Sequence, residues 1–186
     1  GVTQMKALRP FSFLLAVALS GALIGCSSTS TKSPDVSTNV RNALNQAGFK
    51  NVSTSQDLDK GVVTLTGTVT SDAAKAQAQS VAESQAAGQV VSNQIAVVPP
   101  GDNHDAKAVN SDLDKGIEKN LDAALIYNKV NDGVKYSVKN HVVTLTGTVN
   151  SQDRRQRAQD VAAAVPNVQQ VVNELQIKNQ KATASN

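Results

Sequence analysis

Apolar residues in the first folded stretch of the chain recur with the spacing of an amphipathic helix and then alternate as in a β-hairpin. One stripe of a helix over about 35–47 is formed by Val36, Val40, Ala43, Leu44 and Ala47. A strand of about 52–58, a turn at 59–61 and a strand over 62–69 follow. In that last strand Val63, Leu65, Gly67 and Val69 face one way and three threonines face the other.

A second helix and a last strand complete the pattern. Ser71 is the predicted N-cap, and the inward stripe of the helix is Ala74, Ala78, Val81 and Ala82. A strand of about 89–98 follows. The predicted order of elements is therefore αββαβ.

The whole pattern returns 80 residues later. VVTLTGTV begins at Val62 and again at Val142, and 62–97 matches 142–177 at about 16 of 36 positions. The second copy has a helix opened by Ser111, with Asp114 three residues later and an apolar stripe of Leu113, Ile117, Leu121, Ala124 and Leu125. A hairpin with its turn at 139–141, a helix capped by Ser151 (stripe Ala158, Val161, Ala162 and Val165) and a strand of about 168–177 follow. Such self-similarity indicates two homologous modules.

The expected fold is α+β, with two helices on one face of a three-stranded sheet in each module. We predict a first module over 35–98, a polar linker over 99–108, a second module over 109–178 and a disordered tail over 179–186. Gly67 and Gly147 lie in mid-strand, where a bulge or a helix close to the backbone explains glycine. In a gap-free alignment Gly88 and Gln85 of the first copy stand where the second has Val168 and Val165, which predicts a weaker or more mobile first module.

The N-terminal segment has the order of features of a secretory signal. Lys6 and Arg9 precede an uncharged apolar run over 11–25, which predicts a signal peptide over 1–25. A retained membrane anchor is the alternative, but the run is shorter than the roughly 20 apolar residues of a membrane span. A tether rich in Ser and Thr is predicted over 26–34.

The residues that end this run, Leu23, Ile24, Gly25 and Cys26, resemble the bacterial lipobox. The resemblance implies cleavage before Cys26, a covalent diacylglyceryl group on its sulfur with a third acyl chain on the new amino group, and no cofactor besides this lipid. Because Ser27 follows rather than aspartate, it also implies delivery to the periplasmic side of the outer membrane. The alternative is a free or intermolecularly paired thiol, since one cysteine cannot form an internal disulfide.

Composition narrows the function. Without Lys6 and Arg9 the chain carries 16 basic and 15 acidic residues, which argues against a nucleic-acid partner. His104 and His141 have no second histidine or cysteine nearby for a metal site. No serine has a histidine partner that repeats between the modules, so we predict no catalytic residues, no metal site and no enzyme activity.

The two modules resemble the BON family of bacterial envelope proteins. The resemblance lies in the αββαβ order, in V-x-L-x-G-x-V at 63–69 and 143–149, and in V-x-N-x-[IL] at 91–95 and 171–175. Two copies behind a lipobox are similar to dual-BON outer-membrane lipoproteins and to osmotically inducible periplasmic proteins of the family. The resemblance implies phospholipid binding and maintenance of the envelope under osmotic or envelope stress.

One basic cluster is the candidate binding site. Arg154, Arg155 and Arg157 lie near the N-terminus of the second module's second helix, where phosphate groups bind well, and we predict contact with anionic phospholipid there. The first module has Ala74, Lys75 and Gln77 at these positions. The plain alternative for the arginines is a solvated helix face. A second functional hypothesis is a scaffold that holds an envelope protein or peptidoglycan on its sheet faces or edges.

Overall fold

The computed structural model describes residues 32–101 and 105–178. The predicted signal peptide, the lipobox residues Leu23, Ile24 and Gly25, Cys26, the tail over 179–186 and His104 lie outside these ranges. Within them, none of the helices combines the length and the apolar character that crossing a membrane requires.

The first module has the predicted αββαβ order. Its elements are α1 (Ser37–Gln46), β1 (Val52–Asp57), β2 (Val62–Val69), α2 (Asp72–Gln85) and β3 (Val90–Val97). The hydroxyl of Ser71 accepts a hydrogen bond from the amide of Ala74 (3.2 Å), as predicted for the N-cap of α2. Ser33, at the end of the predicted tether, donates its amide to Leu58 O (2.8 Å), so the folded part begins before residue 35.

The second module repeats the order, but its first helix is longer and its last strand is broken. It comprises α3 (Asp105–Tyr127), β4 (Val134–Lys139), β5 (Val142–Val149), α4 (Gln152–Ala163), β6 (Gln170–Asn173) and β7 (Gln176–Ile177). The last strand, predicted as continuous, is broken between β6 and β7. Ser151 caps α4 as predicted, through its hydroxyl and the amide of Arg154 (3.2 Å).

Two predictions about the first helix of the second module, its start and its N-cap, are wrong. Helix α3 begins at Asp105, inside the predicted linker, and Ser111 lies within it rather than at its N-cap. Asp114 accepts from the amides of Asn140 (2.8 Å) and His141 (2.9 Å) and so closes the β4–β5 turn. The added N-terminal turns contact β3 of the first module, where Asn110 Nδ2 lies 3.5 Å from Val97 O. This contact outweighs the local capping signal, because tertiary packing supplies most helix stability in proteins.

Each module is built around one three-stranded arrangement. In the first, β1 pairs antiparallel with β2 and β2 pairs parallel with β3. In the second, β4 pairs antiparallel with β5, and β5 pairs parallel with β6 and then β7. The helices cover one face, and the buried cores combine helix and strand side chains such as Val40, Leu44, Val63, Leu65 and Ile95 in the first module.

Close backbone approach explains the mid-strand glycines. Gly67 has φ +121° and Gly147 has φ +114°. A Cβ at these positions would overlap the carbonyl oxygens of Asn51 and Gly133, respectively. The neighbour is thus the chain entering the adjacent strand, and the alternative of a helix lying over the glycine is wrong.

At the end of the second helix, the gap-free alignment pairs residues of the two modules that are one position away from their structural counterparts. Ala86 and Val165 are the buried residues there, and the amides of Gln89 and Val168 donate to their carbonyls (3.0 and 3.3 Å). Gly88 is therefore the counterpart of Asn167, since both are left-handed, with φ +80° and +67°. Helix α2 has 14 residues and α4 has 12, and the two copies are back in register at Asn93 and Asn173. The comparison of Gly88 with Val168 was thus wrong, and the greater weakness of the first module stays a prediction.

An asparagine, buried in the first module and half-buried in the second, joins the second helix of each module to its last strand. Asn93 Nδ2 donates to Lys75 O (3.1 Å) and Gln79 Oε1 (3.2 Å). Asn173 Nδ2 donates in the same way to Arg155 O (3.1 Å) and Gln159 Oε1 (3.0 Å). The asparagine of the V-x-N motif is therefore structural.

The two modules meet through repeated positions. Both belong to one compact unit of the chain. Lys60 Nζ contacts Glu174 Oε2 (2.7 Å), and Asn140 Nδ2 donates to Gln94 O (2.7 Å). Position 60 corresponds to 140 and 94 to 174, so the two contacts are related by an approximate twofold symmetry.

The sheet faces away from the helices take part in this contact. Val62, Val142 and Val172 form a buried cluster, and Ser92 on β3 is buried as well. Gln170 accepts from the amide of Asn93 (2.9 Å) and donates to Val91 O (2.7 Å), so its side chain covers the free edge of β3. Part of the sheet surface that the scaffold hypothesis assigned to a partner is thus occupied by the other module.

Candidate functional site

The three arginines of the predicted cluster do not share one surface. Arg155 turns inward, and its Nε and Nη2 donate to Leu175 O (3.0 Å) and Asn173 O (3.1 Å). These are carbonyls at the break between β6 and β7. Arg155 is therefore engaged in holding the sheet, and its contact with lipid stays a prediction that this geometry does not favour.

Arg154 and Arg157 remain at the surface to different degrees. Arg154 has 24% of its side chain exposed, and its Nη2 lies 4.0 Å from Asp132 Oδ2. Its Nε is buried and has no hydrogen-bond partner among the described residues. Arg157, one helical turn further along, is exposed.

Lys129 completes a cationic cleft that the sequence did not single out. A cleft of about 230 Å³ is lined by Lys129, Arg154 and Arg157, together with the N-cap Ser151 and Asp153. Lys129 is exposed and left-handed, with φ +56°, just after α3 ends. Three cations and a helix N-terminus thus face one cleft that also holds one carboxylate.

An apolar groove lies beside this cleft, between α3 and α4. It has a volume of about 360 Å³, and Ala124, Val161, Ala164 and Val165 form its apolar wall. Arg157 lines both the groove and the cationic cleft. We call the cleft and the groove together the α3–α4 surface.

Two exposed apolar residues at the end of α3 adjoin this surface in the chain. Ile126 is 53% and Tyr127 87% exposed, and Asn128 and Lys129, which line the groove and the cleft, follow directly. An aromatic residue with a polar tip beside cations is typical of side chains at a membrane interface. These two exposed apolar residues could have been identified from the sequence, because Ile126 and Tyr127 follow Leu125, the last residue of the predicted apolar stripe.

A metal site needs several ligating side chains close together. Residues 32–101 and 105–178 contain no group of three or more histidine, cysteine, aspartate or glutamate side chains that could hold a metal ion. Of the two histidines considered in the sequence, His141 lies at the β4–β5 turn, where its amide donates to Asp114.

Comparison with protein families matches the BON domain model to residues 33–99 and to residues 113–179. The chain belongs to the BON family. BON domains are known to bind phospholipid, and their proteins are associated with the cell envelope and are generally non-enzymatic. The two matched ranges confirm the tandem αββαβ modules predicted from the repeat.

Other comparisons add little to the BON assignment. No curated protein matches the chain. Among solved structures, the C-terminal domain of CdsD, described as the structural protein of the type III secretion system of Chlamydia trachomatis, is 16% identical with a TM-score of 0.31; the match covers 75% of this chain and 66% of that one. A second CdsD structure is 13% identical with a TM-score of 0.33, and the match covers 77% of this chain and 92% of that one.

Proposed function

We propose that this BON protein is lipid-anchored through Cys26 on the periplasmic side of the outer membrane and binds anionic phospholipid through its second module. In that position it supports outer-membrane integrity under osmotic or envelope stress. The proposal rests chiefly on one observation, that Arg157 lines both a cationic cleft and an apolar groove.

The α3–α4 surface has the two parts that an anionic phospholipid requires. Lys129, Arg154 and Arg157 are placed to receive a phosphate, and each cation near an anionic membrane contributes about 1 kcal/mol. The groove offers apolar contact for the glycerol and upper acyl region, with Tyr127 at the interface. Lipid chains on Cys26 would hold the protein at the membrane, since two or more chains anchor stably.

Vesicle co-sedimentation tests the electrostatic part. Residues 27–186, which lack both the predicted signal peptide and Cys26, are mixed with vesicles of phosphatidylcholine alone or with phosphatidylglycerol added. We expect pelleting only with the anionic vesicles, and weaker pelleting at high salt because exposed charges are screened.

Charge reversal locates the contact. Lys129→Glu with Arg157→Glu should reduce vesicle affinity at least ten-fold. The matched control, Arg41→Glu with Lys50→Glu, makes the same change in net charge on exposed residues of the first module and should leave binding intact. Equal pelleting with both kinds of vesicle, or equal losses in the two double variants, would refute the proposed surface.

A further inference from the structure

A second pocket lies between the modules, away from the α3–α4 surface. It has a volume of about 520 Å³, within the range of pockets that hold small ligands. Its apolar wall includes Ile95, Val97 and Pro99 from the end of β3 and Val109 from α3. Its polar end is formed by side chains around Lys75 and His141.

Lys75 places a buried ammonium group in this pocket. The residue is only 8% exposed, and its Nζ donates to Asn140 O (3.2 Å) and Gln169 Oε1 (2.9 Å). Both acceptors are neutral, and an ammonium group has three N–H donors. Among the described residues the charge therefore has no hydrogen-bonded carboxylate.

The surroundings of Lys75 leave room for a further anion. Burial lowers the pKa of Lys75, and the charges of Asp72 and Asp114 offset this only in part. Asp72 lines the pocket but is exposed to solvent, and both oxygens of Asp114 accept from backbone amides of the β4–β5 turn. An anionic group beside Nζ would neutralise a cation that burial has made costly.

His141 supplies a second polar group at the same end. Its Nε2 is buried and has no hydrogen-bond partner among the described residues. His141 lines the pocket together with Lys75, and its backbone is fixed by Asp114 and by the amide of Gln169, which donates to His141 O (2.9 Å). A ligand oxygen that accepts from Nε2–H would satisfy this group.

The related position in the second module shows what a satisfied cation looks like. Arg155 is the counterpart of Lys75 in the repeat, and its guanidinium is bound by two carbonyls of its own sheet at the β6–β7 break. In the first module β3 is continuous, so its backbone is paired with β2 over the same stretch. Lys75 instead reaches into the pocket between the modules.

We propose that the intermodule pocket binds a single-chain amphiphile with an anionic head group. The carboxylate or phosphate lies between Lys75 and His141, and the chain runs along Ile95, Val97 and Val109. Neither the cationic cleft nor the apolar groove of the α3–α4 surface takes part, so this site does not depend on the proposed membrane contact.

Calorimetric titration of residues 27–186, which lack the predicted signal peptide and Cys26, tests the site. The probes are dodecanoate and lysophosphatidylglycerol with one twelve-carbon chain, both below their micelle-forming concentrations, and uncharged dodecanol, below its solubility limit. We expect one saturable site for an anionic probe and at least ten-fold weaker binding of dodecanol. Tighter binding of dodecanoate identifies a carboxylate ligand, and tighter binding of the lysolipid a phosphate ligand.

Two variants and a control assign the binding to this pocket. Lys75→Met should weaken the anionic probe at least ten-fold while leaving dodecanol unchanged. Val109→Asp, at a helix position 56% exposed, should weaken every probe without a folding cost. Ile126→Asp, on the same helix and 53% exposed, should leave the titration unchanged but reduce vesicle binding. No saturable binding of either anionic probe, or binding equal in Lys75→Met and Val109→Asp to the parent chain, overturns the proposal.

Discussion

Replacing Arg155 by methionine should lower the stability of the second module. The predicted effect is structural, although this arginine belongs to the basic cluster that the sequence offered as a lipid site. The change removes two hydrogen bonds from the guanidinium to Asn173 O and Leu175 O (3.1 and 3.0 Å) and keeps most of the apolar stem. Hydrogen bonds to charged groups contribute about 1.5–3 kcal/mol each. Because Arg155 is half-buried and water can replace part of each bond, we expect a total loss of about 2–3 kcal/mol.

Tyrosine fluorescence gives a readout specific to the second module. The chain has no tryptophan, and its two tyrosines, Tyr127 and Tyr136, both lie in that module. Unfolding in urea is followed by this fluorescence and by far-ultraviolet circular dichroism, which reports both modules. With a typical slope of 1–3 kcal/mol per molar urea, the fluorescence midpoint should fall by about 1 M.

Arg157→Met is the matched control. Arg157 is exposed on the same helix, and surface substitutions of this kind usually change stability by less than about 0.5 kcal/mol. It should retain the parent midpoint and lose vesicle affinity, whereas Arg155→Met should lose stability and, while folded, keep vesicle affinity. If both variants unfold at the same urea concentration, the guanidinium of Arg155 does not hold the broken strand and our interpretation is incorrect.

Three further predictions concern other parts of the fold. Gly147→Ala should lower the free energy of unfolding by about 1–3 kcal/mol, because φ is +114° and the added Cβ would overlap a carbonyl. Gly116→Ala, at a position on α3 with open space around it, should raise that free energy by up to about 1 kcal/mol. Thermal unfolding of the two variants compares these effects. Gln170→Ala should accelerate hydrogen exchange at the amide of Asn93, and an unchanged rate would contradict the edge contact. Burial raises the pKa of Tyr136, so the neutral phenol is favoured in the folded state. The unfolded chain therefore loses this proton first, and the protein loses stability as the pH rises above about 10. Urea titrations at several pH values should show this loss in the parent chain and not in Tyr136→Phe.

The repeat and the local periodicities were sufficient to predict the order of elements. VVTLTGTV pairs with its hairpin partner in both modules as its alternation indicated, and Ser71 and Ser151 cap their helices. These features depend on residues close in sequence. The start of α3 at Asp105 was missed because its first turns contact β3, a contact between distant parts of the chain.

The inward orientation of Arg155 could have been predicted from the sequence. Residues three and seven positions later, Ala158 and Ala162, belong to the predicted inward stripe, and a helix places such positions on one face. Grouping the three arginines by their closeness in sequence hid this, since neighbouring residues on a helix point in different directions. What the pattern could not supply was the acceptor, because the carbonyls of Asn173 and Leu175 become available only where the last strand breaks.

The docking of the modules explains why the two copies differ as candidate lipid sites. Asp72 and Lys75, near the start of α2, line the pocket between the modules. Helix α4 packs on α3 and the strands of its own module, and its first turns carry Arg154 and Arg157 into the cationic cleft. Helices α2 and α4 occupy equivalent positions in the repeat but have different surroundings. The N-terminus of α2 lies at the interface between the modules, whereas the N-terminus of α4 faces solvent. The preference of lipid for the second module that we propose therefore depends on how the copies meet as much as on which residues they carry.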